Sequence, residues 1–283
     1  MQSVLDYQTV YKLFKEKLMS INLENLTDTI NIFYDSHMYS PELLDFYQQS
    51  DYVNLGYWDD EVSTPKEACD LLMSKLLDFI PEKQGNILDV ACGKGETTRY
   101  LTKFYCPDEI VGINISEKQL SDCRKNVPGA TFQLMDATFL QFENNSFDAI
   151  ICVESAFHFN TREKFLQEAL RVLKPGGYLV LSDILLTCEG EESFLHRVEN
   201  ENYIQDLDAY EALCRQAGFE SATVVDVTEN CWRKHYRYIV GFAHEKFLNH
   251  QFDFSTLQHY MNFYYKQVEA LKYYLVASAR KKK

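Results

Sequence analysis

The sequence predicts an α/β fold: a mainly parallel, seven-stranded sheet flanked by helices, with helical segments added outside it. Three observations predict this. Short apolar runs alternate with helical patterns between residues 86 and 184, the spacing of strand–helix units in a parallel sheet. A glycine pair, Gly93 and Gly95, follows the first apolar run. The 40 aromatic residues (19 Tyr, 19 Phe, 2 Trp) are unevenly spread, with 21 in residues 31–60 and 232–274 and only 11 in residues 86–184. The surplus rings therefore belong to the helical flanks.

The elements follow in order. Asn86-Ile87-Leu88-Asp89-Val90-Ala91 reads as a buried strand ending at the glycine turn. Residues 109–115 form a second strand, and Ser116 then opens a helix with Gln119 at the capping-box position. Strands follow at 131–135 and 147–153, then an amphipathic helix at 161–173. Pro175-Gly176-Gly177 breaks that helix ahead of a fifth strand at 178–183. A helix near 206–217 and strands near 221–227 and 272–279 complete the series. Residues 1–80 and 229–270 read as helices and loops. The helix near 65 has a marked start, with Thr64 as N-cap, Pro65 in the first turn and Glu67 three residues after the cap. The expected organisation is an arm at 1–80, a core at 81–228, a helical lid insertion at 229–270, and a final strand with a basic tail at 271–283.

Composition excludes several function classes. A chain of 283 residues with 46% hydrophobic residues can bury a large core without staples. A formal net charge of -14 opposes binding to nucleic acid, whose phosphates need a positive field. No run reaches the roughly 18–20 apolar residues of a membrane span, and the first thirty residues lack a signal-peptide core. The eight cysteines form no C-x-x-C pair. They are expected to be free thiols in a reducing cytoplasm, and no metal is expected.

The turn Asp89-Val90-Ala91-Cys92-Gly93-Lys94-Gly95 lets the backbone approach a ligand. It does not fit a dinucleotide site, because the third glycine would fall at Thr98 and the ribose-binding acid at Asn114. It does not fit a P-loop, because no Gly-Lys-[Ser/Thr] follows. The pattern Leu88-Asp89-x-x-Cys92-Gly93-x-Gly95 instead resembles motif I of the class I S-adenosylmethionine-dependent methyltransferases. Val111–Ser116, Met135-Asp136-Ala137, Phe147–Ile150 and Leu173–Gly177 resemble the motifs that follow it. The resemblance implies a Rossmann-like sheet under a helical lid. Asn54-Leu55-Gly56-Tyr57-Trp58, Asn114–Gln119 and Glu154–Phe159 look like the branch holding sugar O-methyltransferases, cyclopropane synthases and tocopherol or sterol C-methyltransferases. The whole chain, the arm (Phe33–His37 and residues 41–58) as well as the core, is most similar to the O-methyltransferases of cyanobacterial microcystin and nodularin biosynthesis.

The resemblance implies S-adenosylmethionine as cofactor, S-adenosylhomocysteine as product, and a hydroxyl of the polyketide-derived Adda side chain as acceptor. Gly93, Gly95 and Ala91 would line the methionine part of the cofactor, with Asp89 organising the site around its amine. Asn114, Ile115 and Gln119 would face the ribose. For Gln119 a plain capping box is an equal reading. Asp136 and Ala137 would bond the adenine, with Leu140 on its face. Tyr34, Tyr57 and Glu154 would stand at the amino-acid end of the cofactor, although packing alone also explains a tyrosine in so aromatic an arm.

His158, just past the fourth strand, is the expected general base, since imidazole titrates near neutrality. Asp183 is expected to orient it or to touch substrate. His37 and His196 are weaker candidates for substrate contact. Methylation at nitrogen or carbon stays open, because the Glu154–His158 motif also occurs in C-methyltransferases. A cofactor-binding scaffold without turnover is the reading of another class. Whether the apolar alcohol is free or tethered to a carrier domain, and which oligomer forms, stay open too.

Overall fold

A computed structural model describes residues 26–187 and 202–283. The expectations for residues 1–25, Cys188 and His196 lie outside the described residues. The strands are β1 (Ile87–Val90), β2 (Ile110–Asn114), β3 (Thr131–Leu134), β4 (Phe147–Val153), β5 (Leu173–Leu186), β6 (Ser221–Asp226) and β7 (Leu271–Arg280). They form one sheet in the order β3-β2-β1-β4-β5-β7-β6. β1 to β5 pair in parallel, and β7 runs antiparallel between β5 and β6. β5 is longer than its apolar run suggests. Leu173 already pairs with Phe147, and Leu186 is still paired with Leu271.

The helices are α1 (Leu26–His37), α2 (Pro41–Phe46), α3 (Pro65–Leu77), α4 (Glu96–Leu101), α5 (Glu117–Asn126), α6 (Arg162–Val172), α7 (Leu207–Ala217), α8 (Lys234–Leu248) and α9 (Phe254–Ala270). The cap of α3 forms as the sequence indicates. Thr64 accepts from the Glu67 N–H while the Glu67 carboxylate accepts from the Thr64 N–H.

Strand periodicity divides the core between two faces. On β4, Ala149, Ile151 and Val153 pack into one cluster with α3 and the arm. Ile150 and Cys152 pack into the other with α6 and α7. Leu72, Met73 and Leu76 of α3 are fully buried in the first cluster. Part of the segment assigned to the arm therefore packs directly on the sheet. Each such aliphatic side chain contributes about 1.5–3 kcal/mol by leaving water.

The two helical flanks are joined to each other. The Trp58 N–H donates to the Asn230 carbonyl, and Asn230 Nδ2 returns a bond to the Trp58 carbonyl. Phe46 packs edge-on against Tyr238 and Phe242 of α8, and Lys246 pairs with Asp45. The aromatic surplus thus forms a ring-on-ring seam between the segment at 46–58 and α8.

Chain order explains where a ligand fits. The strands step outward from β1 to β3, then return to β4 on the other side of β1. The carboxyl ends of β1 and β4 flank that reversal, the usual crevice of an open α/β sheet.

The arm crosses toward this crevice through a tight turn at Gly56, where φ is +72°. A Cβ there would lie 2.5 Å from the Ala68 Cβ and 2.7 Å from its carbonyl carbon. Gly56→Ala should cost about 1–3 kcal/mol, since the turn must both strain and move off α3. Urea unfolding of the variant should show a lower midpoint at unchanged slope.

Candidate active site

The turn after β1 carries two left-handed residues close together, Ala91 at φ 58° and Gly93 at φ 56°. For alanine that conformation is strained, and strain of this kind collects at functional sites. The end of β4 carries another, Glu154 at φ 50°. Both strained positions border the crevice between β1 and β4. A Cβ on Gly93 would stand 3.3 Å from the Met38 Cε, so the turn lies directly beneath the arm.

Asp89 is buried at the end of β1. Its Oδ2 accepts from the Thr97 and Thr98 hydroxyls at 2.8 and 2.6 Å. Its Oδ1 is buried without a hydrogen-bond partner. Burial pushes its pKa up to about 6, against the lowering effect of the two hydroxyls. A buried carboxylate oxygen lacking a donor fits a ligand that brings a cationic or N–H group.

Beside it, Asn114 Nδ2 donates to the Gly93 carbonyl at 3.2 Å and to Gln119 Oε1 at 2.8 Å. Asn114 Oδ1 accepts from the Ile115 N–H. Ser116 accepts from the Gln119 N–H, but the Gln119 side chain does not close the capping box. Its Nε2 donates 2.8 Å to Asp35 of α1. The Ile115 carbonyl accepts from Asn31, also on α1. Farther along, Asp136 is exposed, and its Oδ1 accepts from both the N–H and the hydroxyl of Thr138. Ala137 and Leu140 are buried next to it.

At the end of β4, Glu154 Oε2 accepts from the Leu55 N–H at 2.8 Å and the Tyr274 hydroxyl at 2.7 Å. Burial raises its pKa to about 7, the two donors only partly opposing it. The Leu55 carbonyl accepts from Trp58 Nε1 and meets His235 Nδ1 at 3.1 Å. His235 is buried, and burial holds its pKa down to about 4.

His158 follows in a short 3-10 turn (Ala156–His158). Its Nε2 lies 2.7 Å from the Tyr34 hydroxyl, with the two rings edge-on. Burial raises the Tyr34 pKa well above its ordinary value, so the phenol stays protonated. The resemblance implies Tyr34 at the cofactor carboxylate; in the structure its hydroxyl meets His158.

The structure does not bring Asp183 into this pair. Asp183 is fully buried and takes a two-point ion pair from Arg162, at 2.6 Å from Nε and 3.3 Å from Nη2. The Arg162 guanidinium, which sequence reasoning passed over, also donates to the Ile184 and Asn202 carbonyls. A carboxylate so enclosed positions α6 against β5 rather than a proton acceptor. Tyr57 packs toward α3, with Lys75 Nζ 5.4 Å from its ring centroid. His37 stacks on Phe33, and burial lowers its pKa to about 4.

Among the described residues no group of three or more His, Cys, Asp or Glu could hold a metal ion. No described helix is long and apolar enough to cross a membrane.

A glycine turn under an arm and a buried acid lacking one donor fit a ligand-binding crevice at the carboxyl edge of an α/β sheet. Comparison with known proteins gives the family. Residues 88–181 match the family model described as a methyltransferase domain. The 27-O-demethylrifamycin SV methyltransferase of Amycolatopsis mediterranei is 35% identical over 188 residues, 62% of this chain and 68% of the relative. An O-methyltransferase of Penicillium expansum, cnsE, is 31% identical over 63% of this chain and 69% of its own. Among solved structures, the [4+2]-cyclase SpnF superposes with a TM-score of 0.69 at 22% identity, covering 90% of this chain and 97% of that one. The chain belongs to the S-adenosylmethionine-dependent methyltransferases, with the Rossmann-like class I fold and S-adenosylmethionine as cofactor.

The raised pKa of Glu154 gives a pH signature. The folded protein holds the proton up to about pH 7, whereas the unfolded carboxyl releases it near its ordinary value of 4.5. Between those limits the folded state binds more protons, so stability falls as pH rises. The buried neutral His37 and His235 act in the opposite sense below pH 6.5, so the Glu154 contribution is read as a difference between two proteins. Relative to wild type, Glu154→Gln should gain stability as pH rises from about 5 to 7.5, measured by urea titrations run across the range.

Proposed function

We propose that the chain is an O-methyltransferase acting on a hydroxyl of an apolar small-molecule natural product. The acceptor we favour is the polyketide-derived Adda side chain of a microcystin- or nodularin-type peptide. The observation that carries transfer to oxygen is the 2.7 Å contact between Tyr34 and His158. An alcohol is a poor nucleophile near neutral pH and needs a base, whereas a neutral amine does not. A protonated phenol aimed at an imidazole is a proton path built for such an acceptor. The two relatives described above are both named for transfer to oxygen, and the arm resemblance at Phe33–His37 supports the Adda acceptor.

S-adenosylmethionine, when bound, supplies a methyl group on a positively charged sulfur. Asp89, Gly93 and Asp136 would hold it along the carboxyl edge of β1 to β3, with Asn114 and Gln119 bordering its ribose. The acceptor hydroxyl donates to the Tyr34 oxygen while Tyr34 donates to His158 Nε2. As the acceptor oxygen gains its methyl group, its proton passes to Tyr34 and the Tyr34 proton passes to His158. The sulfonium charge is thereby replaced by an imidazolium charge, and no other charge is created. An arm closed over the crevice would keep water from the reacting oxygen, and alignment beneath it would supply much of the acceleration.

His158→Ala should lower turnover by about 10²–10⁴-fold while cofactor affinity stays within a few-fold. Tyr34→Phe should lower turnover by about tenfold or more through loss of the proton path. Transfer of a labelled methyl group to candidate alcohols, amines and enolizable carbons, followed by mass spectrometry, checks both. Near-normal turnover of His158→Ala, or a product methylated at nitrogen or carbon, would sink the assignment. Cofactor binding without transfer to any acceptor would favour a scaffold role instead.

A further inference from the structure

Sheets of this class place the cofactor ribose at the end of the second strand, where a carboxylate usually accepts from its hydroxyls. Here that position is Asn114, and its amide is already used. Both Nδ2 protons are donated, one to the Gly93 carbonyl and one to Gln119 Oε1, and Oδ1 holds the Ile115 N–H. Gln119 is likewise engaged, accepting from Asn114 and donating to Asp35. Neither amide offers the pair of free acceptor sites that a vicinal diol requires.

The carboxylate at this edge comes from α1. Asp35 Oδ1 accepts from the Ser116 hydroxyl at 2.7 Å and from Gln119 Nε2 at 2.8 Å. Among the described residues no donor reaches Asp35 Oδ2. The Asp35 carbonyl is held by Lys118 Nζ, and two further bonds fix the same stretch of arm. Asn31 donates to the Ile115 carbonyl at 2.9 Å, and Tyr39 donates to Asp122 at 2.7 Å. A half-buried carboxylate with one oxygen anchored and the other uncommitted is thus delivered to the strand end that lacks an acid.

We infer that Asp35 is the ribose-binding carboxylate of this enzyme, supplied by the arm in place of the acid missing at position 114. Its Oδ2 accepts from the ribose hydroxyls, while Ser116 and Gln119 hold Oδ1 and set the carboxylate plane. Cofactor binding and seating of the arm are then one event: the ribose stabilises the docked α1, and the docked α1 completes the ribose site. The inference rests on the assignment of S-adenosylmethionine as cofactor.

Calorimetric binding of S-adenosylhomocysteine and of its 2′,3′-dideoxyribose analogue tests this without turnover. Wild type should prefer the parent by about ten- to a hundredfold, the worth of hydrogen bonds to a charged acceptor. Asp35→Asn is nearly isosteric and can still accept at Oδ1. It should bind the parent about tenfold or more weaker, yet bind the analogue almost as wild type does. Hydrogen exchange in residues 26–37 should slow more with the parent than with the analogue. Equal affinity of wild type for the two ligands would overturn the inference, and that comparison does not depend on any variant folding. So would a D35N protein that keeps the full preference, or one that loses the same factor for both ligands, which marks a latch alone. Failure of wild type to bind either ligand would instead overturn the cofactor assignment itself.

Discussion

The site depends on one buried carboxylate. Glu154 accepts from the Leu55 backbone N–H and from the Tyr274 hydroxyl, and so ties the arm, β4 and β7 at a single point. Leu55 is fixed from its other side as well, by Trp58 and His235 on its carbonyl. The peptide units flanking Leu55 are buried among aromatic rings, where an unpaired backbone group costs about 1–3 kcal/mol. Glu154 and His235 satisfy both ends at once. Neither needs a charge to do so, because burial keeps the imidazole neutral and lifts the carboxyl toward neutrality. A network of mostly neutral hydrogen bonds avoids the desolvation penalty that an ion pair would carry there.

The protein uses charge differently elsewhere. Arg162 and Asp183 form a fully buried pair, with the remaining guanidinium protons given to backbone carbonyls. That pair is satisfied within the fold and has nothing left to offer a substrate. Asp89 is the reverse case, buried and with one oxygen unpaired. Two acids on the strands either side of β4 thus take opposite roles, and their partners decide which. Sequence position alone makes them look alike, since both are aspartates late in an apolar run.

That contrast shows how much was legible beforehand. The sheet was legible because β1, β2 and β4 are buried on both faces and so appear as mostly apolar runs. The length of β5 was not. Its first residues run through Pro175-Gly176-Gly177, a turn signal, and are held in place by pairing with Phe147 and with the chain end at Lys281, distant in sequence. The glycine turn and His158 were legible from motif and strand register. Their partners were not, because Tyr34 and Asp35 lie more than eighty residues away on an arm whose sequence shows no strand and no fixed register. One signal did point beyond the core: an amide at position 114 leaves an acid to be found elsewhere.

Tyr34 and Asp35 are neighbours on α1, and this placement links binding to chemistry. Successive residues on a helix project about 100° apart, so one turn can face two walls of the same crevice. Tyr34 reaches across to His158 at the end of β4, and Asp35 reaches down to Gln119 beyond β2. The two contacts cannot be made independently, since a rigid helix that seats one seats the other. A ribose held by Asp35 would therefore also steady the Tyr34 phenol on the imidazole. The same helix thus serves both the methyl donor and the proton path, with no further moving part.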